Sequence, residues 1–220
     1  APIAAILAEV CGIDTAAIVL YNDIELACRA AHAPGAGYLI YAGTGSVAAY
    51  IDAAGVQHRA GGRGGLIDDG GSGYWIAREA LRTVWRAEDE QPGAWRQSPL
   101  AQALFDHVGG SDWARTRAYV YGASRGQLGG LAVAVGLAAQ RGDAQALEIL
   151  ARAGAELARL GQVLVSRFGP RPLSLAGRAF QLHPVVEATL RERLGGLDVQ
   201  SPQELQAHRR AAELALENAA

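Results

Sequence analysis

The sequence predicts an α/β fold with a helical C-terminal half. Short apolar runs bounded by Gly, Asn or Asp fall at residues 18–21, 37–42 and 47–51. From Ser72 onward apolar residues recur at helical spacing over long stretches, and one more strand-like run, LSLA at 173–176, interrupts them. Apolar runs of about four to eight residues between turn signals read as strands, whereas recurrence at i, i+3 and i+4 reads as helix. Elements mixed in this order mark α/β architecture.

Taken along the chain, Ile3, Ile6, Leu7 and Val10 form a helical stripe, with Pro2 at an early position and Gly12 as a stop. Residues 18–21 read as a buried strand ending at Asn22 and Asp23, and a helix follows from Ile24 to about His32. The runs GYLIYA (37–42) and VAAYI (47–51) read as strands joined by the turn Gly43, Thr44, Gly45, Ser46, with a third strand at 56–59 completing a meander. Ser72 is placed to cap a helix whose inner face carries Ala77, Ala80, Leu81 and Val84. The polar stretch 88–98 reads as a loop and gives the best internal boundary, between an α/β part (1–90) and a mainly helical part (91–220). Helices are expected at 99–107, 112–121, 126–140, 143–167 and 184–194, around the strand at 173–176 and its turn at 177–180. The final run, from 205, reads as an amphipathic helix docking on its own chain or on a second copy.

Composition narrows the function. A formal charge of −2 and the lack of a basic stripe give no electrostatic case for nucleic acid. No stretch approaches the roughly 20 uncharged apolar residues of a membrane span. Cys11 and Cys28 form no CxxC pattern, which fits a reduced, cytoplasmic setting, and the five histidines show no ligand spacing, so no metal site built by the protein is expected. The chain has no Met.

Three stretches carry chemistry. Residues 61–75, GGRGGLIDDGGSGYW, crowd seven glycines around two carboxylates. Such density marks a tight backbone path or the close approach of a ligand. Asp23 stands where a strand meets a helix: it either orients and deprotonates a substrate hydroxyl or simply caps the helix starting at Ile24. In AGTGS (42–46) the backbone N–H groups and two hydroxyls can wrap an anionic oxygen, although a plain hairpin turn fits too.

Asp23, GYLIYAGTGS, AGGRGGLIDDGGSGYWIAREAL, GLAAQRGDAQALEILARAGAELARL and PLSLAGRAFQLHP occur in one order between Ile18 and Leu194. Together they resemble the BadF/BadG/BcrA/BcrD ATPase family, in its N-acetylglucosamine kinase-like branch, within the actin-like, sugar-kinase and Hsp70 superfamily. The resemblance implies a ribonuclease-H-like (actin-like ATPase) fold and ATP-dependent phosphorylation of an amino sugar or related small sugar, with Mg²⁺ accompanying the nucleotide. It implies Asp23 as catalytic base. Gly43, Thr44 and Gly45 would face the nucleotide phosphates, and Ala139, Gly177 and Arg178 would line the nucleoside pocket. Ser46, Gly62 and Asp69 would bind sugar. A homodimer is expected. The Asp-Gly-Gly-Thr-type strand hairpin that opens such kinases does not precede Asp23, which implies that an N-terminal portion of the natural protein lies outside these 220 residues.

The sequence also departs from the pattern. Kinases of this type carry GGWG and Asp-Glu-Gly-Ser where this chain has Gly61-Gly62-Arg63-Gly64 and Asp69-Gly70-Gly71-Ser72. Arg63 either pairs with Asp68 or Asp69 or meets an anionic substrate, and Asp68 either faces water or supports the following helix. Two other functions stay open for the same fold: an ATPase activator of a dehydratase, which would hold an iron–sulfur cluster through cysteines, and a non-catalytic sugar-sensing protein.

Overall fold

The structure, a computed structural model, describes residues 2–219. Its centre is a five-stranded sheet in the order β3-β2-β1-β4-β5. Strands β1 (Tyr38–Ala42), β2 (Ser46–Ile51) and β3 (Gln57–Gly61) form the expected antiparallel meander, while β4 (Leu173–Ala176) and β5 (Val199–Gln203) add in parallel beyond β1. Alternation along β1 feeds two cores. Tyr38, Ile40 and Ala42 enter the larger one, and Leu39 joins Ala49, Ile51, Ala27 and Cys28 on the opposite face. Burial on both faces explains why the central strands read as near-continuous apolar runs.

Helix α1 (Pro2–Cys11) leads to α2 (Asp23–Ala31), which covers the smaller core. The larger core packs beneath α3 (Gly73–Glu90), α4 (Pro99–Val108), α7 (Ala132–Gln140), the long α8 (Ala144–Phe168) and α9 (Pro184–Arg193). Helices α5 (Trp113–Gly122) and α6 (Arg125–Gly130) connect α4 to α7. The stripe Ile149, Leu150, Ala153, Leu157 and Leu164 buries one face of α8. Asp143 caps α8 through Ala146 N–H and also accepts from Leu100 N–H at 3.1 Å, tying together the starts of α8 and α4. The last helix, α10 (Ala207–Ala219), packs on α2 of its own chain.

Four sequence expectations need correction. Residues 18–21 are not a strand here: Val19 and Leu20 are exposed and no strand among the described residues pairs with them, and apolarity alone cannot supply ladder hydrogen bonds. The third strand runs to Gly61, taking the first glycine of the loop into the ladder opposite Val47. The helix expected at 126–140 breaks after Gly130 into α6 and α7. Strand β5 was not read at all, since its sequence VQSPQ carries a proline and little apolar character, which only an edge position tolerates.

Cys28 is a core residue, its thiol pushed up to about 11 by burial. His32 follows α2, and burial holds its pKa below the ordinary 6.5, against a weaker opposing hydrogen bond to the Tyr38 backbone. A base with a lowered folded pKa binds fewer protons folded than unfolded, so its contribution to stability is lost as pH falls through 6.5 towards the folded value. Melting temperature should therefore fall between about pH 7.5 and about pH 5.5, and His32→Gln should flatten that slope. An unchanged slope in the variant would assign the effect to other groups.

Candidate functional site

The hairpin turn between β1 and β2 is docked onto the start of α3. Gly73 and Tyr74 donate their N–H groups to the carbonyls of Gly43 and Thr44, at 2.8 and 3.3 Å. Ser72 caps the helix as expected, accepting from Trp75 N–H at 3.1 Å. A Cβ on Gly73 would lie 3.1 Å from the Gly129 carbonyl oxygen and 3.3 Å from that of Gly43, so glycine eases the close meeting of three backbone segments here.

From this junction opens a cavity of about 370 Å³, lined by Gly43, Thr44, Gly73, the α6 glycines Gly126, Gly129 and Gly130, and Arg178. Val133 and Leu137 of α7 also line it while remaining 55% and 46% exposed, which leaves an apolar wall free for a flat ligand. The sequence reading missed the α6 glycines. Their signal was present in GQLGG, since each glycine in a helix costs about 1 kcal/mol relative to Ala and a cluster implies close backbone approach. Ala139 does not line this cavity. It is buried on the inner face of α7, whereas Val133, Gly136, Leu137 and Gln140 recur at helical spacing on the cavity face.

A second cavity, of about 540 Å³, is edged by Asp23, Tyr41, Gly177, Arg178, Gln181 and Glu204. Arg178 and Gln181 line both cavities, so Asp23 and the Thr44 turn sit in adjoining spaces. The N-cap of α2 is the residue before Asp23. Asn22 is the N-cap, accepting from Glu25 N–H at 2.7 Å, and Asp23 is the first helical residue, its Oδ1 accepting from Ile24 N–H. The cap position being filled, Asp23 is left as an exposed carboxylate at a helix N-terminus.

The remaining expected residues gather on the glycine-rich loop. Four of its glycines, Gly61, Gly62, Gly64 and Gly71, have positive φ. Gly62 N–H donates to the Ser46 carbonyl at 3.0 Å, and Ser46 Oγ donates to the Gly70 carbonyl at 2.7 Å, so both ends of the loop are held against β2. Asp69 is buried and lies against the Arg125 guanidinium, and a Cβ on Gly45 would come within 3.0 Å of both. Asp68 pairs with Arg159 of α8 at 2.9 Å, so it neither faces water alone nor serves α3. Asp23 edges the second cavity, whereas Asp69 is buried against Arg125 and beside Gly45.

A sequence model of the BadF/BadG/BcrA/BcrD ATPase family matches residues 7–208. The chain belongs to this family. As a BadF/BadG/BcrA/BcrD ATPase family member it is 28% identical over 142 residues to the N-acetylmuramic acid/N-acetylglucosamine kinase of Clostridium acetobutylicum, a stretch covering 64% of this chain and 45% of that protein. The chain thus matches less than half the length of that curated relative. A Chromobacterium violaceum structure, described provisionally as an N-acetylglucosamine kinase, superposes with a TM-score of 0.68 at 28% identity, over 86% of this chain and 62% of its own. Two more distant structures share the fold. One, from Porphyromonas gingivalis, is described in the same provisional terms (TM-score 0.65, 17% identity, 89% and 65% coverage). The other is a ROK family glucokinase from Streptomyces griseus in complex with glucose and AMPPNP (0.57, 17%, 96% and 71%). The family member's fold is therefore the α/β, actin-like one expected. Among the described residues no helix is long and apolar enough to cross a membrane.

Proposed function

We propose that the complete protein transfers the γ-phosphoryl group of ATP to a hydroxyl of an amino sugar or related small sugar. The observation that carries this is the glycine-walled cavity in which the Thr44 turn faces α6 and α7 and which adjoins the space holding Asp23. Its walls suit a nucleotide: glycines from the turn, α3, α6 and α7 keep much of the lining free of side chains, and Val133 with Leu137 offers an apolar face for a base. Bound ATP, with its Mg²⁺, supplies the phosphoryl group and part of the charge neutralisation. Thr44 and Gly45 hold the phosphates through backbone N–H and hydroxyl groups, and Gly43, whose N–H donates to the Gly45 carbonyl, shapes the turn beside them. Gly177 and Arg178 close the nucleoside end. Asp23 orients the sugar hydroxyl and accepts its proton, while Ser46, Gly62 and Asp69 hold the sugar. The names of the relatives support an amino sugar as acceptor. ADP release by the complete protein with a panel of amino sugars tests the reading, and absence of turnover with every member would refute it.

Asp69→Ala should raise the sugar KM and leave the ATP KM nearly unchanged. A lost carboxylate–hydroxyl bond that strands buried polar groups costs about 1 to 3 kcal/mol, roughly five- to 150-fold in KM. Equal weakening of both substrates would show that Asp69 holds the loop together and does not read the sugar.

A further inference from the structure

Strands β1 and β4 run parallel, with Tyr41 opposite Ala176, so the turns that follow them leave the sheet side by side at the carboxyl ends of both strands. One is the Thr44 turn, and the other carries Gly177 and Arg178. The two turns are in close contact: a Cβ on Gly177 would stand 2.3 Å from the carbonyl oxygen of Ala42, the residue before Gly43. Arg178 therefore starts one residue away from the backbone that enters the Thr44 turn. Of the residues lining the glycine-walled cavity, Arg178 alone carries a charge. The chain contains no lysine, and Arg125, which also comes near the turn at Gly45, is matched by buried Asp69 and does not line the cavity. Arg178 is exposed and forms no ion pair among the described residues, although Asp23 and Glu204 edge the second cavity with it.

A triphosphate entering the glycine-walled cavity thus meets one side-chain cation, and that cation also borders the space of Asp23. Phosphoryl transfer needs positive charge at this boundary, where the acceptor oxygen and the γ phosphorus come together. A guanidinium suits the task, since its planar fork holds two phosphate oxygens at once and keeps its charge at any working pH. We propose that Arg178 is a further catalytic residue, gripping the γ-phosphoryl group of ATP between the Thr44 turn and Asp23. The sugar oxygen bonds to the γ phosphorus as the bridging oxygen leaves with ADP, and the hydroxyl proton passes to Asp23. Arg178 holds the transferring group in line and offsets its charge throughout. The inference rests on the kinase reading of the site.

Steady-state kinetics of the complete protein with ATP and a panel of amino sugars provides the test. Arg178→Met, which keeps the stem and removes the charge, should lower kcat at least about 100-fold and raise the ATP KM by less than about tenfold. Arg178→Lys should recover part of the lost kcat. A raised ATP KM with kcat intact would leave Arg178 a nucleoside contact alone, and that result or unchanged kinetics overturns the inference. Calorimetric titration judges the phosphate contact without turnover: Arg178→Met should weaken binding of AMPPNP at least about threefold and leave adenosine unchanged. Equal weakening of both also overturns it. Absence of ADP release by the wild type with every sugar sinks the kinase reading itself, whereas wild-type turnover that survives in Arg178→Met sinks only the role of Arg178.

Discussion

Asp23→Asn in the complete protein is expected to lower kcat by about 10² to 10⁴ while changing the sugar KM little. The amide keeps the size of the carboxylate and still hydrogen-bonds a hydroxyl, but it cannot take the proton. The structural cost is small because Asn22 caps α2 and Asp23 occupies only the first helical position. Losing a negative charge there removes about 0.3 to 1 kcal/mol of helix-dipole stabilisation, too little to unfold the protein. Steady-state kinetics with a thermal melt on the same preparation separates the outcomes. Retention of more than about a third of wild-type kcat would refute the base assignment.

Gly177→Ala should strongly destabilise the protein and damage the nucleotide cavity together. Gly177 has φ 102° and ψ 157°, a region open essentially to glycine alone. An added Cβ would also stand 2.3 Å from the Ala42 carbonyl oxygen and 2.6 Å from its carbon. Ala42 is fully buried at the end of central β1 and cannot withdraw without breaking the β1–β2 ladder. Backbone strain costs about 1 to 3 kcal/mol, and overpacking adds about 1 to 3 kcal/mol. At roughly 2 to 4 °C per kcal/mol for a chain of this size, melting should drop by about 5 °C or more. Folded protein that remains should bind a non-hydrolysable ATP analogue more weakly, since Gly177 edges the cavity that shares Arg178 and Gln181 with the glycine-walled one. A melting point within about 2 °C of wild type would mean that the turn relaxes freely.

Several features were legible because they are local. Continuous apolar runs at 37–42 and 47–51 between turn residues determined β1 and β2, and the single hydroxyl of Ser72 ahead of a helical stripe determined the start of α3. Glycine density marked the loop whose residues bind back to β2 and α3, and Asp143 lay one residue before the helix it caps. Features that depend on a partner were not legible. Residues 18–21 and 199–203 differ in the opposite sense to their apolarity: the apolar run pairs with no strand among the described residues, and the polar one pairs beside β4 at the sheet edge. The break between α6 and α7 falls at Leu131, two residues after Gly129, whose backbone meets Gly73 in a contact between segments more than fifty residues apart in sequence.

The sequence by itself determined the kind of chemistry available: a carboxylate at the start of a helix, a Gly-Thr-Gly turn, and a glycine-rich loop carrying Arg63, Asp68 and Asp69. Only the tertiary structure decided how those groups are distributed. Capping by Asn22 leaves Asp23 exposed, and Arg178 stands between its cavity and that of Thr44. Arg159 reaches Asp68 across 91 positions of sequence and Arg125 reaches Asp69 from α6, which leaves Arg63 without an ion pair among the described residues. The physical reason is one of range. Turn, cap and strand preferences act within a few residues and are written in local sequence, whereas an ion pair is assigned by whichever opposite charge the packed helices bring within about 4 Å.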